Sequence, residues 1–147
     1  MRGEVGGSVS IEQRIAAPAE KVAAYVGDFR NAKEWMVGIE SIEQLGERDY
    51  RLTLESPIGT IQPKAQIVEH GPRSIRWVYT SMIEGGGRVD VSPEADGCVV
   101  SYNGEFRLKR RLLNRAARFV GVERFARKNG ERSLSRLKHL MEAHRYR

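Results

Sequence analysis

The sequence predicts an α+β domain in which a curved, seven-stranded antiparallel sheet wraps around one long C-terminal helix, with two short helices after the first strand. Three observations lead there. Residues 110–144 contain no proline, and Leu112, Ala116, Phe119, Ala126, Gly130, Leu134, Leu137 and Met141 recur at three- and four-residue steps, which puts them on one stripe of a helix. Residues 39–109 alternate instead with a period of two and are broken by turn sequences at hairpin spacing, so neighbouring strands run antiparallel. Each strand is apolar on one face only, so the sheet has one side to cover, and the terminal helix is the cover.

The elements follow in chain order. Val9, Ile11 and Ile15 alternate with Ser8, Ser10, Glu12 and Arg14, a half-buried strand with Gln13 as the one polar residue on its apolar side. Pro18 ends it and suits a helix start, which Glu20 favours electrostatically. Val22, Tyr25, Val26 and Phe29 supply a short helix ending near Gly27-Asp28, and Asn31 is placed to cap a second through Trp35 and Met36. A strand over Ile39–Leu45 alternates imperfectly, as a bulge would make it. Tyr50, Leu52 and Leu54 form the next, and Ile61, Ala65 and Ile67 another with Pro63 inside it, which argues for an edge or a bulge. Ile75, Trp77 and Tyr79 follow. Ile83, Val89 and Val91 share a strand interrupted by Gly85-Gly86-Gly87, and Val100, Tyr102, Phe106 and Leu108 share the last. Gly121 is a candidate break in the long helix, and Asn129-Gly130 a second weak point, since glycine costs about 1 kcal/mol in a helix interior relative to alanine.

At 147 residues the chain reads as one domain, residues 1–147. No apolar run approaches the ~20 residues a spanning helix needs. The N-terminal Met1-Arg2-Gly3-Glu4 lacks the apolar segment of a signal peptide, so the expected location is the cytoplasm. Cys98 is the single cysteine, within an apolar run, and reads as a buried thiol. His70, His139 and His144 have no ligand spacing with a carboxylate or thiol, so neither a metal nor another cofactor is expected.

The net charge of +6 is unevenly distributed. Residues 1–106 hold eleven Lys and Arg against sixteen Asp and Glu, whereas residues 107–147 hold fourteen against three. The basic character belongs to the terminal helix. It is either a solvated face offsetting an acidic body or a surface for an anionic membrane or RNA.

The inward faces of the predicted strands carry Tyr50, Trp77, Tyr79, Tyr102 and Phe106, with Leu52, Ala65 and Val89 beside them. Aromatic residues with polar tips on one inner face suit either a filled core or an apolar pocket with a few hydrogen-bonding points. Trp35 falls near the expected mouth of such a pocket, and Phe119 and Glu123 face it from the helix stripe. A carboxylate there would be desolvated or paired with arginine, and would orient a ligand hydroxyl or accept a proton; the alternative is a Glu123 standing in water. Glu123, Tyr79 and Tyr102 are therefore the candidates if chemistry occurs. Arg88 and Arg118 are candidates to hold a ligand carboxylate, or else solvated.

Residues Ile15-Ala16-Ala17-Pro18-Ala19-Glu20-Lys21-Val22, then Asp28-Phe29-Arg30-Asn31 and Trp35, and finally Ser133-Leu134-Ser135-Arg136-Leu137-Lys138, resemble the START/Bet v 1-like (SRPBCC) superfamily. The nearest branches are the polyketide cyclase/dehydrase and lipid-transport-like proteins and the carbon monoxide dehydrogenase G-subunit-like proteins. The resemblance implies the helix-grip fold and a hydrophobic cavity between sheet and helix for a lipid-like, aromatic or polyketide-like molecule. Binding or transport of such a ligand is the expected function, with a cyclase, aromatase or dehydratase as the alternative. The partners expected are that small ligand, with the anionic surface and a homodimer as further options.

Overall fold

The computed structural model describes residues 6–109, 112 and 121–143. Strand β1 (Gly6–Ile15) leads into α1 (Ala19–Gly27), a single 3-10 turn (Phe29–Asn31) and α2 (Ala32–Trp35). Seven strands follow: β2 (Ile39–Gln44), β3 (Asp49–Ser56), β4 (Gly59–Ile61), β5 (Lys64–Gly71), β6 (Ser74–Tyr79), β7 (Ile83–Glu94) and β8 (Gly97–Leu108). The chain's last described element is α3 (Val122–Ala143). The sheet is antiparallel throughout, in the order β1-β8-β7-β6-β5-β3-β2, with β4 paired to β3 beside that path.

This is the predicted helix-grip architecture, with local differences that have physical reasons. The segment read as one strand around Pro63 is two, because proline cannot donate to the ladder; β4 closes on β3 and β5 starts at Lys64. The bulge expected in β2 is present as a register shift between Ile39 and Ser41. Gly85-Gly86-Gly87 do not interrupt β7, whose register with β8 runs unbroken from Ile83↔Leu108 to Glu94↔Gly97. Asn31 does not cap α2. Its side chain donates to the Tyr25 carbonyl, and the side-chain cap is Asp28, which caps the 3-10 turn before α2 by accepting from Arg30 N at 3.1 Å. The Arg30 guanidinium also holds the Asp28 carboxyl below the usual carboxylate range.

α3 begins at Val122, just after Gly121, whose φ of +100° is open to glycine and strained for other residues. Leu112 is helical and buried, whereas Ala116, Arg118 and Phe119 lie outside the described residues.

The interior divides in two. Toward one end, Ile15, Val22, Val26, Val91, Val100, Leu137 and Met141 make a solid core under α1 and the C-terminal half of α3, with the Cys98 thiol buried and its pKa pushed up by burial. Toward the other, Ile61, Ile83, Leu108 and Leu112 form a smaller cluster. The space between the two clusters is the candidate site.

α3 lies along β1. Glu123 accepts from Ser8 N at 3.0 Å, and Glu142 accepts from Ala16 N at 2.8 Å. Eight residues of strand and nineteen of helix each span about 26–29 Å, so helix and strand match in length and run in the same direction. Glu123 occupies an N–H group on an edge strand that would otherwise be open, and Glu142 one just past the end of that strand.

Candidate functional site

A cavity of about 220 Å³ lies between the sheet and the N-terminal half of α3. That exceeds the roughly 150 Å³ apolar cavity that takes up benzene, so a molecule larger than a single ring fits. Its wall is mostly carbon, from Val9, Phe29, Leu52, Ile61, Trp77 and Leu134 among others. Glu55 and Glu105 are the ionised side chains on the lining, both exposed.

The cavity exists because two side chains are missing from the sheet floor. Val9, Gly104, Gly87 and Trp77 are cross-strand neighbours on one inward row. A Cβ on Gly87 would sit 2.4 Å from Trp77 Cζ2, and one on Gly104 would sit 2.6 Å from the Tyr102 hydroxyl. The Trp77 and Tyr102 rings therefore lie over the glycine backbone instead of standing up from it. Their centroids are 6.4 Å apart with an interplanar angle of 21°, and Phe29 packs on Trp77 at 5.3 Å.

The mouth opens between the α2–β2 turn (Met36, Val37, Gly38), the β3–β4 hairpin (Ser56, Pro57, Ile58) and Val122, Phe125 and Ala126 of α3. A hydrogen-bonded latch sets its width. Ser133 Oγ accepts from Val37 N at 2.8 Å and donates to the Asn129 carbonyl at 2.6 Å, and Asn129 Nδ2 donates to the Val37 carbonyl at 3.5 Å. Ser133 is a buried polar residue within an apolar stripe, and the sequence offered no sign of its role beyond its place in the helix.

Of the predicted site residues, Trp35, Leu52, Trp77, Tyr79, Tyr102 and Phe106 line this space together. Tyr50, Ala65 and Val89 point inward as expected but pack in the solid core, Tyr50 edge-on to Phe29 at 5.1 Å. Phe119 and Arg118 lie outside the described residues. Glu123 does not face the cavity; it is exposed and bound to the β1 backbone, because at the first turn of α3 the unpaired edge of β1 lies within its reach. Arg88 is on the outer face, paired with Asp90 and Glu69.

Tyr79 and Tyr102 carry the phenols on the cavity wall. Burial raises both phenols, and each keeps some accessible surface where it lines the cavity. They stay protonated at neutral pH and can donate to a carbonyl or accept from a hydroxyl. The Trp35 indole N–H is fully buried with no hydrogen-bond partner among the described residues.

The family described as polyketide cyclase / dehydrase and lipid transport matches residues 7–142. The chain belongs to that family. Among solved structures of similar fold, DR_A0006 from Deinococcus radiodurans is 27% identical, with 76% of this chain and 92% of that one covered and a TM-score of 0.62. A START superfamily protein from Mycobacterium smegmatis is 17% identical over 93% and 98%, with a TM-score of 0.76. The di-domain ARO/CYC protein StfQ of the steffimycin biosynthetic pathway is 12% identical over 97% and 53%, with a TM-score of 0.71. No curated protein matches the sequence. Family and fold together make this a START-like, hydrophobic-ligand-binding type of domain. Among the described residues, no helix is long and apolar enough to cross a membrane.

Proposed function

We propose that the protein binds and carries a small hydrophobic molecule, lipid-like, aromatic or polyketide-like, in the cavity between the sheet and α3. The observation that carries this reading is an apolar space of about 220 Å³ held open by Gly87 and Gly104 under two flattened aromatic rings. Well-packed interiors contain few voids larger than a water molecule, so a space of this size argues for an occupant. Tyr79 and Tyr102 would orient it through one oxygen-bearing group.

The cyclase or dehydratase reading has a narrower basis. A proton acceptor near the substrate is the usual need of such chemistry. Raised phenols at Tyr79 and Tyr102 suit hydrogen-bond donation better than proton abstraction, and the lining carboxylates stand at the exposed rim. Native mass spectrometry of freshly purified protein tests the carrier reading, together with titration of N-phenyl-1-naphthylamine. A co-purifying mass, or probe fluorescence displaced by lipids or aromatics, is expected. A bare chain that binds neither the probe nor any of the lipids and aromatics offered would overturn it.

A further inference from the structure

We propose that the outward face of α3 is a docking surface for an anionic lipid bilayer. Arg124, Lys128, Arg132 and Arg136 follow one another at four-residue steps, with Arg127 beside them, and all five are exposed. The row of four occupies the side turned away from the buried Gly130, Leu134, Leu137 and Met141, and Arg127 lies on its flank. The row is about 18 Å long at helical rise. None of the five forms an ion pair with a described residue. The carboxylates of α3 offset them only in part. Glu142 is paired with Lys138, and Glu123 and Glu131 stand against the five cations, which remain in excess.

Half-buried apolar residues adjoin this row at the cavity mouth: Val122 on α3 itself, with Met36, Val37 and Ile58 opposite. Cations along a helix with apolar residues at its margin are what an interfacial surface combines. Single-stranded RNA would call for exposed aromatic platforms among the cations, and Leu45 is the one large hydrophobic residue that is exposed among those described. The far lip carries Glu55, with Glu40 of β2 beside it, whereas Glu43 is paired with Arg51. An anionic surface therefore draws α3 toward it more strongly than that lip. The charge row does not depend on what fills the cavity.

The test is co-sedimentation with vesicles of phosphatidylcholine containing about 30% phosphatidylglycerol, against vesicles of phosphatidylcholine alone, at roughly 50 and 300 mM salt. Binding to the anionic vesicles at low salt, released at high salt and absent on neutral vesicles, is expected. Lys128→Gln/Arg132→Gln/Arg136→Gln, its fold checked by circular dichroism, should bind about a hundredfold more weakly. Arg51→Gln/Arg73→Gln, which removes charge elsewhere, should bind as the parent does. The proposal falls if anionic vesicles do not bind, if neutral vesicles bind equally, or if the triple variant is unaffected. It also falls if the Arg51/Arg73 variant loses as much, or if an oligouridine RNA is retained where vesicles are not.

Discussion

Replacing Gly87 by alanine tests the floor of the cavity directly. The added methyl would sit 2.4, 2.8 and 2.9 Å from Cζ2, Cε2 and Cη2 of Trp77. Carbon atoms pack at about 3.5–4.0 Å, so the indole must retreat by roughly 1 Å. Trp77 is 2% exposed and lies against Phe29 and Tyr102, so the one direction open to it is upward into the cavity. Overpacking of this kind costs about 1–3 kcal/mol. With a urea dependence of about 2 kcal/mol per molar, the midpoint should fall by about 0.5–1.5 M. The raised ring should also weaken N-phenyl-1-naphthylamine binding about tenfold, which corresponds to about 1.4 kcal/mol. Adding Trp77→Phe should relieve the clash and recover part of the midpoint. Leu137→Ala is the contrast, because Leu137 is 0% exposed and lies away from the cavity wall. It should cost about 2–5 kcal/mol and leave probe affinity alone. A Gly87→Ala protein with the parental midpoint and the parental affinity would mean that the indole does not rest on residue 87, and the account of how the cavity forms would be wrong.

Other expectations rest on single contacts. Ser133→Ala leaves Val37 N–H without its acceptor and should destabilise the fold by about 1–3 kcal/mol, read from chemical unfolding, while widening the mouth enough to speed probe exchange in stopped flow. Glu123→Gln should leave probe affinity unchanged, since the carboxylate serves the Ser8 backbone and not the cavity; a tenfold loss would return it to the site. The phenols of Tyr79 and Tyr102 are raised from the ordinary value of 10.0. Their contribution to stability is therefore complete below about pH 10 and is lost as the pH rises through the higher folded values. Tyrosinate absorbance from these two should appear only with alkaline unfolding, and Tyr79→Phe/Tyr102→Phe should flatten that loss of stability.

The alternation of Ile75, Trp77 and Tyr79, or of Val100 and Tyr102, revealed which side of each strand is buried, because the two-residue period is a property of the strand itself. It did not reveal how far along the strand the packing stops. Tyr50, Ala65 and Val89 point the right way yet belong to the solid end, where α1 fills the space. Trp77 and Tyr79 line the empty one, although Tyr79 stands directly across the ladder from Ala65, as Tyr102 does from Val89. The glycines were visible as an interruption, and their true effect depends on cross-strand register, which pairs Gly87 with Gly104 under two rings. Glu123 was misplaced for a similar reason. Helical phase puts it on the apolar stripe, but its surroundings are set by the end of β1, more than a hundred residues away in sequence. Gly121 was legible as a candidate break and Pro63 as a disturbance in its strand, though not as the end of one, because their constraints lie in their own backbones. The Ser133 latch was not legible, since one hydroxyl in an apolar row has no periodic signature.

The paired clasps of Glu123 and Glu142 on β1 bear on how cargo would enter. A rod fastened at both ends to a strand of equal length cannot roll or slide without tearing both fastenings, so it serves as the fixed jamb of the doorway. Passage then falls to the opposite side, where the turn after α2 is tied to the helix by the Ser133 and Asn129 hydrogen bonds and must release them. Entry and exit should track the motion of that turn, while the helix and its partner strand keep still.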